Sequence, residues 1–314
     1  MRAIFFLLFL LIGISVVGFA QDQPIILKTK TGNIYGSLLV PEKVKKPAVV
    51  LIISGSGPTD RDGNQSSLKN NSLKQLADSL YQRGIASLRF DKRAIAESKI
   101  ENFDQRSLRF ENYVADAKDW ISLLAADKRF SKIIVAGHSE GALIGLMASL
   151  QNHNVKGYIS IAGPSRPADE MIKEQLSEQP EMIRSAVFPM LDTLKMGDTL
   201  TTVPQYLMTL FNPSVQPYLI SWMKYDPRKE IVKLKIPALI IQGTTDVQVL
   251  PKDAEMLGSA YPTATVKKIE GMNHVLKAFG SMDKREQITT YSDPTLPIHK
   301  DFVPAIFAFI KQLK

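Results

Sequence analysis

The sequence predicts an α/β fold, a mostly parallel twisted sheet flanked by helices and interrupted by a helical insertion. Three observations carry this expectation. Short, continuously apolar, β-branched runs such as AVVLIISGSG after Pro47 read as strands buried on both faces. Such runs alternate with stretches of helical spacing, which requires crossover connections between parallel strands. From about Pro164 to Leu234 the strands disappear and helical spacing alone remains. A chain of 314 residues, 45% apolar and 22% charged, is long enough to bury a large core in one domain of α/β size.

The opening MRAIFFLLFLLIGISVVGFAQDQ has one positive residue, Arg2, an apolar run from Ala3 to Val17, and small residues at Gly18 and Ala20. Residues 1–20 are therefore expected to be a signal peptide cleaved after Ala20, which makes the mature protein periplasmic or secreted. The competing reading is a membrane anchor, since the run approaches the length that spans a bilayer. It is disfavoured by the small residues at 18 and 20 and by the lack of a positive cluster after the run. With no cysteine in the chain there is no lipid-bearing N-terminal Cys, no disulfide framework, no thiolate nucleophile and no cysteine metal site. The formal charge of +8 becomes +7 without Arg2 (8 − 1), and the basic residues are scattered with no run of five. That pattern describes a solvated surface and gives no nucleic-acid groove.

After the leader, Ile25 to Lys28 and Ile34 to Leu39 read as an antiparallel hairpin around the turn Thr31-Gly32-Asn33. AVVLIISGSG follows as a strand, Leu73 to Arg83 as a helix with Leu73, Leu76, Leu80 and Tyr81 on one side, and IASLRF as a strand. Tyr113 to Ala125 is a helix, and KIIVAG and GYISIAG are strands. In the insertion, helical spacing recurs at Met171, Ile172 and Leu176 and at Ile183, Val187, Met190 and Leu194. IPALIIQG resumes the strands, a helix runs near Lys252 to Ala260, ATVKKIEG is the last strand, and Phe302 to Leu313 closes the chain as a helix. The expected organisation is a core of residues 21–163 and 235–314 with a helical cap insertion at 164–234.

The chemistry is concentrated in IIVAGHSEGALIGLMASL, which reads strand, sharp turn, helix. Gly137 and Gly141 stand two before and two after Ser139, where a nucleophile elbow needs residues without side chains. G-x-S-x-G also arises by chance, so a base and an acid must be found. Of four histidines, His138 adjoins the serine and on an elbow should point away from it. His153 follows the elbow helix, and His299 lies in a Pro-flanked loop. His274 sits directly after a predicted strand, where a parallel sheet presents its chemistry. Asp246, after IPALIIQG and a short Gly-Thr-Thr turn, precedes His274 by 28 positions (274 − 246), room for one helix and one strand. A lone post-strand Asp is usually a turn former, but here it completes the order Ser, Asp, His.

Gly137 to Gly141, Asp246 and His274 together resemble the triad of the α/β-hydrolase superfamily. SGSGPTDRDGN from Ser54 and RFDKRAIAES from Arg89 resemble a bacterial esterase subgroup with motifs of the type GSGPxDRDG and DKRGxGxS. Ala94 and Ala96 stand where that pattern has glycines; if either needs positive φ, alanine costs about 1 kcal/mol there.

The resemblance implies an α/β-hydrolase fold and ester hydrolysis through an acyl-enzyme. Ser139 would be the nucleophile, His274 the base and Asp246 its orienting acid, with an oxyanion hole from the backbone N–H groups of Ser56 and Glu140. No metal or organic cofactor is required, and the partner is a small-molecule ester. The Glu140 side chain either complements the helix dipole or shapes the pocket. Asp60-Arg61-Asp62, Asp91 and Arg93 read better as loop-organising residues than as substrate contacts. Six of the eleven methionines fall in the insertion, which suits core packing or an apolar lid over short- to medium-chain acyl groups. Other readings are a serine peptidase of the prolyl-oligopeptidase type, an acyltransferase or thioesterase, and a non-catalytic binding protein. The peptidase lacks its N-terminal propeller here, and the presence of all three triad residues argues against the binding protein.

Overall fold

The computed structural model describes residues 21–314, so the expected signal peptide lies outside the described residues. In chain order the elements are β1 (Gln23–Thr29), β2 (Gly32–Leu39), β3 (Val49–Ile53), α1 (Ser72–Gln82), β4 (Ala86–Phe90), α2 (Phe110–Ala126), β5 (Ile133–His138), α3 (Glu140–Ser149) and β6 (Val155–Ile161). Five helices follow: α4 (Ala168–Gln175), α5 (Glu181–Met196), α6 (Met208–Phe211), α7 (Gln216–Met223) and α8 (Pro227–Ile231). The chain then returns to β7 (Ala238–Gly243), α9 (Pro251–Ala260), β8 (Thr265–Ile269), α10 (Lys284–Tyr291) and α11 (Phe302–Gln312).

The eight strands form one sheet in the order β1-β2-β4-β3-β5-β6-β7-β8. The β1–β2 and β2–β4 pairs are antiparallel, and every later pair is parallel. The hairpin and the parallel sheet expected from the sequence are both present. β3 and β5 lie side by side in the middle of the sheet and are buried throughout. Their alternating side chains feed two cores. Val49, Leu51, Ile53 and Val135 pack with α2 and α3 around the fully buried Trp120. Val50, Ile52, Ile134 and Ala136 pack on the other face with α1 and α11. Each of the Val, Leu and Ile side chains contributes about 1.5–3 kcal/mol by leaving water. These cores fix the strand ends on which the loops ride.

The helices between β6 and β7 gather a third apolar cluster, including Val187, Leu191, Leu194, Phe211 and Met223. Met182 and Met196, by contrast, are exposed. α10 was not among the elements expected from sequence. Its KREQITTY has no apolar stripe, and its two buried residues, Gln287 and Thr290, are held by hydrogen bonds. Gln287 donates to the Thr245 carbonyl at 2.6 Å, and Asn273 donates to Thr290 Oγ1 at 2.8 Å. Asp283 caps its first turn by accepting from the N–H groups of Arg285 and Glu286.

Candidate active site

Ser139 links β5 to α3 with φ 55° and ψ −124°, a strained conformation for a residue with a side chain. The flanking glycines make the turn possible. A Cβ on Gly137 would lie 1.9 Å from the Gly141 carbonyl oxygen, and one on Gly141 would lie 2.4 Å from the Ile53 carbonyl oxygen. The loop after β3 crosses immediately beside the turn, since a Cβ on Gly55 would stand 3.2 Å from Ser139 Cβ.

Asp246 and His274 arrive from the loops after β7 and β8. His274 Nδ1 and Asp246 Oδ2 are 2.8 Å apart, with the carboxylate fully buried. Asp246 also accepts from Gln242 Nε2 at 2.9 Å and from the N–H groups of Gln248 and Val249 at 2.8 and 3.0 Å. Four donors therefore fix one carboxylate and, through it, the imidazole, and among the described residues Nε2 has no hydrogen-bond partner. Asn273 holds the same loop by accepting from the Lys277 N–H at 3.0 Å.

Ser139 and His274 line one cavity of about 250 Å³. No hydrogen bond joins their side chains among the described residues. Ser56 lines the same cavity. Among the described residues, neither the Ser56 nor the Glu140 N–H has a hydrogen-bond partner, so both remain available to an incoming oxygen. The rest of the lining is largely polar, with Thr59, Asn70, Gln248 and Tyr291 beside Leu68 and Val275. None of the lining comes from residues 164–234. The insertion's methionines therefore do not wall this cavity, contrary to the expectation of an apolar lid over it.

His138 departs from expectation in another way. Its ring does not point away but lines the cavity and packs on His274, with ring centroids 4.8 Å apart. Its Nε2 lies 2.8 Å from the His274 carbonyl oxygen and donates to it. Burial, and secondarily the neighbouring His274, push the His138 imidazole down to about 3, so it is neutral at ordinary pH. His299 donates its N–H to the Leu276 carbonyl at 2.7 Å, and His153 lies beside Lys235 and Lys314 at a separate cavity.

The charged motifs organise loops. Arg61 bridges Asp91 and Glu97, each at 2.6 Å, while Asp62 pairs with Arg89 at 3.0 Å and Arg93 with Asp116. Ala94 and Ala96 both have positive φ, 66° and 46°, so the two missing glycines of the motif are positions of real backbone strain. Glu140 resolves differently from either sequence reading. Its buried carboxylate takes an ion pair from Lys92 at 3.0 Å and a hydrogen bond from the Tyr218 hydroxyl. Lys92 stands inside the RFDKRAIAES motif, but its burial could not be read from its type or spacing. Among the described residues no group of three or more His, Asp or Glu is arranged to hold a metal ion.

The family model described as Serine aminopeptidase, S33, matches residues 69–208, just under half of the chain, and includes Ser139 but neither Asp246 nor His274. The chain is 30% identical over 226 residues to Esterase EstD of Thermotoga maritima. That alignment takes in 70% of this chain and 52% of the relative, so the chain spans about half the length of the curated relative it matches. Among solved structures, Est1E from Butyrivibrio proteoclasticus, with ferulic acid bound, superposes with a TM-score of 0.59 at 14% identity, over 92% of this chain and all of that one. The Pyrococcus furiosus esterase Pf2001 gives 0.59 at 13% identity, over 94% of this chain and 91% of its own. With its central parallel strands, the strained strand–turn–helix junction at Ser139 and these superpositions, the chain has the α/β-hydrolase fold.

Proposed function

We propose that the protein is a serine hydrolase that cleaves short- to medium-chain carboxylic esters through an acyl-enzyme. The single observation that carries this reading is the buried Asp246–His274 hydrogen bond at 2.8 Å beside a cavity that Ser139 also lines. Ser139 Oγ attacks the ester carbonyl as His274 Nε2 takes its proton. The tetrahedral oxyanion accepts from the N–H groups of Ser56 and Glu140. On collapse the imidazolium returns the proton to the leaving alcohol. Water, deprotonated by the same nitrogen, then releases the acid, and Asp246 keeps Nδ1 protonated throughout.

The similarity to Esterase EstD supports ester chemistry, and the SGSGPTDRDGN and RFDKRAIAES motifs support placement in the bacterial esterase subgroup they resemble. A cavity of about 250 Å³ lies just under the usual range of ligand pockets, about 300–1,000 Å³, which suits small acyl groups. Selection for them rests on Leu68 and Val275 rather than on the insertion. The reading includes a leader at 1–20 removed on export, a core of 21–163 and 235–314, and an insertion at 164–234. A second reading, peptide-amide hydrolysis at the same triad, draws on the match of residues 69–208 to a family described as serine aminopeptidases.

The test is kcat/KM for nitrophenyl acetate, butyrate, octanoate and palmitate beside a set of aminoacyl and prolyl amides. A maximum between two and about eight acyl carbons is expected, because each methylene that fills a pocket is worth roughly 1–3 kcal/mol until it is full. Preference for palmitate would indicate an open lipase-like groove. Efficient cleavage of any amide would move the protein to the peptidase reading.

A further inference from the structure

We infer that Lys92 is a positioning residue for the oxyanion hole, holding the Ser56 N–H on the cavity through the carbonyl of the peptide that carries it. The inference rests on the serine-hydrolase reading above and adds a residue outside the triad. Lys92 follows β4 and is buried, its side chain 1% exposed. Its ammonium donates to two acceptors, the Gly55 carbonyl and, at 3.0 Å, the Glu140 carboxylate, and lies 5.0 Å from the centre of the Tyr113 ring.

The Gly55 carbonyl and the Ser56 N–H belong to one planar trans peptide, so they point in opposite directions. Fixing the carbonyl on Lys92 therefore directs the N–H the other way, and the cavity lined by Gly55, Ser56 and Ser139 lies at that peptide. The partner that neutralises Lys92 is the side chain of Glu140, whose own N–H is the second oxyanion donor. One ion pair thus ties the loop after β3 to the elbow after β5 and sets the two donors against each other. Tyr218 of α7 donates to the other Glu140 oxygen and packs edge-on against Tyr113 at 5.5 Å, so the insertion braces the pair.

A buried ion pair is a weak source of net stability, since apolar side chains of similar volume do as well or better. Its placement is what it contributes. Preorganised donors are effective because they need no reorientation as charge develops, and a peptide free to rock about its Cα–Cα axis forfeits part of that.

The experiment compares the wild type with Lys92→Met/Glu140→Gln and with Glu140→Gln. Lys92→Met alone would leave the Glu140 carboxylate buried without its cation and is expected to fold poorly. The double variant removes both charges and leaves Tyr218 an acceptor. Its kcat for nitrophenyl butyrate should fall about 10- to 100-fold, less than the roughly 10²–10³ lost when an oxyanion donor is deleted outright. KM should stay within about threefold, because the ground-state carbonyl uses the donors weakly. The Ki of a trifluoromethyl ketone, which forms a tetrahedral oxyanion on the serine, should rise by the same factor. A general packing defect would not move Ki in step with kcat. Glu140→Gln keeps the ammonium on the Gly55 carbonyl but leaves it without its anion, so it is assayed where circular dichroism shows both variants folded, and it should lose less than the double variant.

Equal losses in the two variants would overturn the role of Lys92, as would a double variant with kcat and Ki within twofold of wild type. Failure of the underlying hydrolase reading is distinct, since then the wild type itself would not turn over the ester or Ser139→Ala would keep its activity.

Discussion

Lowering the pH from 7.5 to 5 should remove about 2 kcal/mol of stability through His138 alone. Burial and the adjacent His274 hold its imidazole near 3 in the folded chain, against 6.5 when exposed. Between those values the unfolded chain binds a proton that the folded chain refuses. The stabilisation is therefore complete above 6.5 and is lost progressively as the pH falls toward 3. Each pH unit below 6.5 is worth about 1.4 kcal/mol, so 1.5 units give about 2 kcal/mol. Other groups also titrate here, so the quantity to measure is a difference. Urea unfolding of the wild type and of His138→Gln, whose amide can still donate to the His274 carbonyl, should be followed at pH 7.5, 6.5, 5.5 and 5.0. The variant will be less stable at neutral pH because it packs less well, but the gap should shrink by about 2 kcal/mol by pH 5. Parallel curves would mean that His138 accepts a proton in the folded protein, and the account of a neutral buttress beneath His274 would be wrong.

Gly141→Ala should destabilise the fold by at least about 3 kcal/mol or prevent folding, because its Cβ would meet the Ile53 carbonyl at 2.4 Å; thermal unfolding close to wild type would refute the close approach at the elbow. Ala94→Gly and Ala96→Gly should each stabilise by about 0.5–1 kcal/mol, since both alanines sit at positive φ; urea midpoints that fall instead would contradict the backbone assignment. Burial lowers the Lys277 ammonium to about 8 from 10.5, so its contribution to stability rises with pH across that interval. Unfolding at pH 7.5 and 9.5 should therefore show the wild type gaining on Lys277→Met, and a constant difference would show that the ammonium stays protonated.

The parallel sheet was legible because β3 and the bodies of β5 and β7 are continuous apolar runs, and the elbow because Gly137 and Gly141 have a steric reason to be glycine. Asp246 and His274 could be singled out because each follows a strand in the right order, although the sequence could not supply their separation of 2.8 Å. The remainder depends on contacts between distant segments. Lys92, Glu140 and Tyr218 come from three regions, and a lysine in a loop is ordinarily solvated, so nothing in its neighbours announces a buried pair. α10 was illegible because hydrogen bonds from Gln287 and to Thr290 hold it in place of an apolar face; Asp283 with Glu286 three residues on was the available signal. The direction of the His138 ring is hidden from the sequence for a related reason. The direction of a side chain at a strained turn depends on the loop after β8 that folds over it, far away in sequence.

In the proposed mechanism Ser139 is the nucleophile and His274 its base. The assignment is read out by treating the protein with a fluorophosphonate and locating the adduct by peptide mass spectrometry. One adduct is expected, on Ser139, absent from Ser139→Ala and formed at least about 10³-fold more slowly in His274→Ala. An adduct on another serine of the cavity, such as Ser56 or Ser72, or labelling of Ser139 at an unchanged rate without His274, would contradict it.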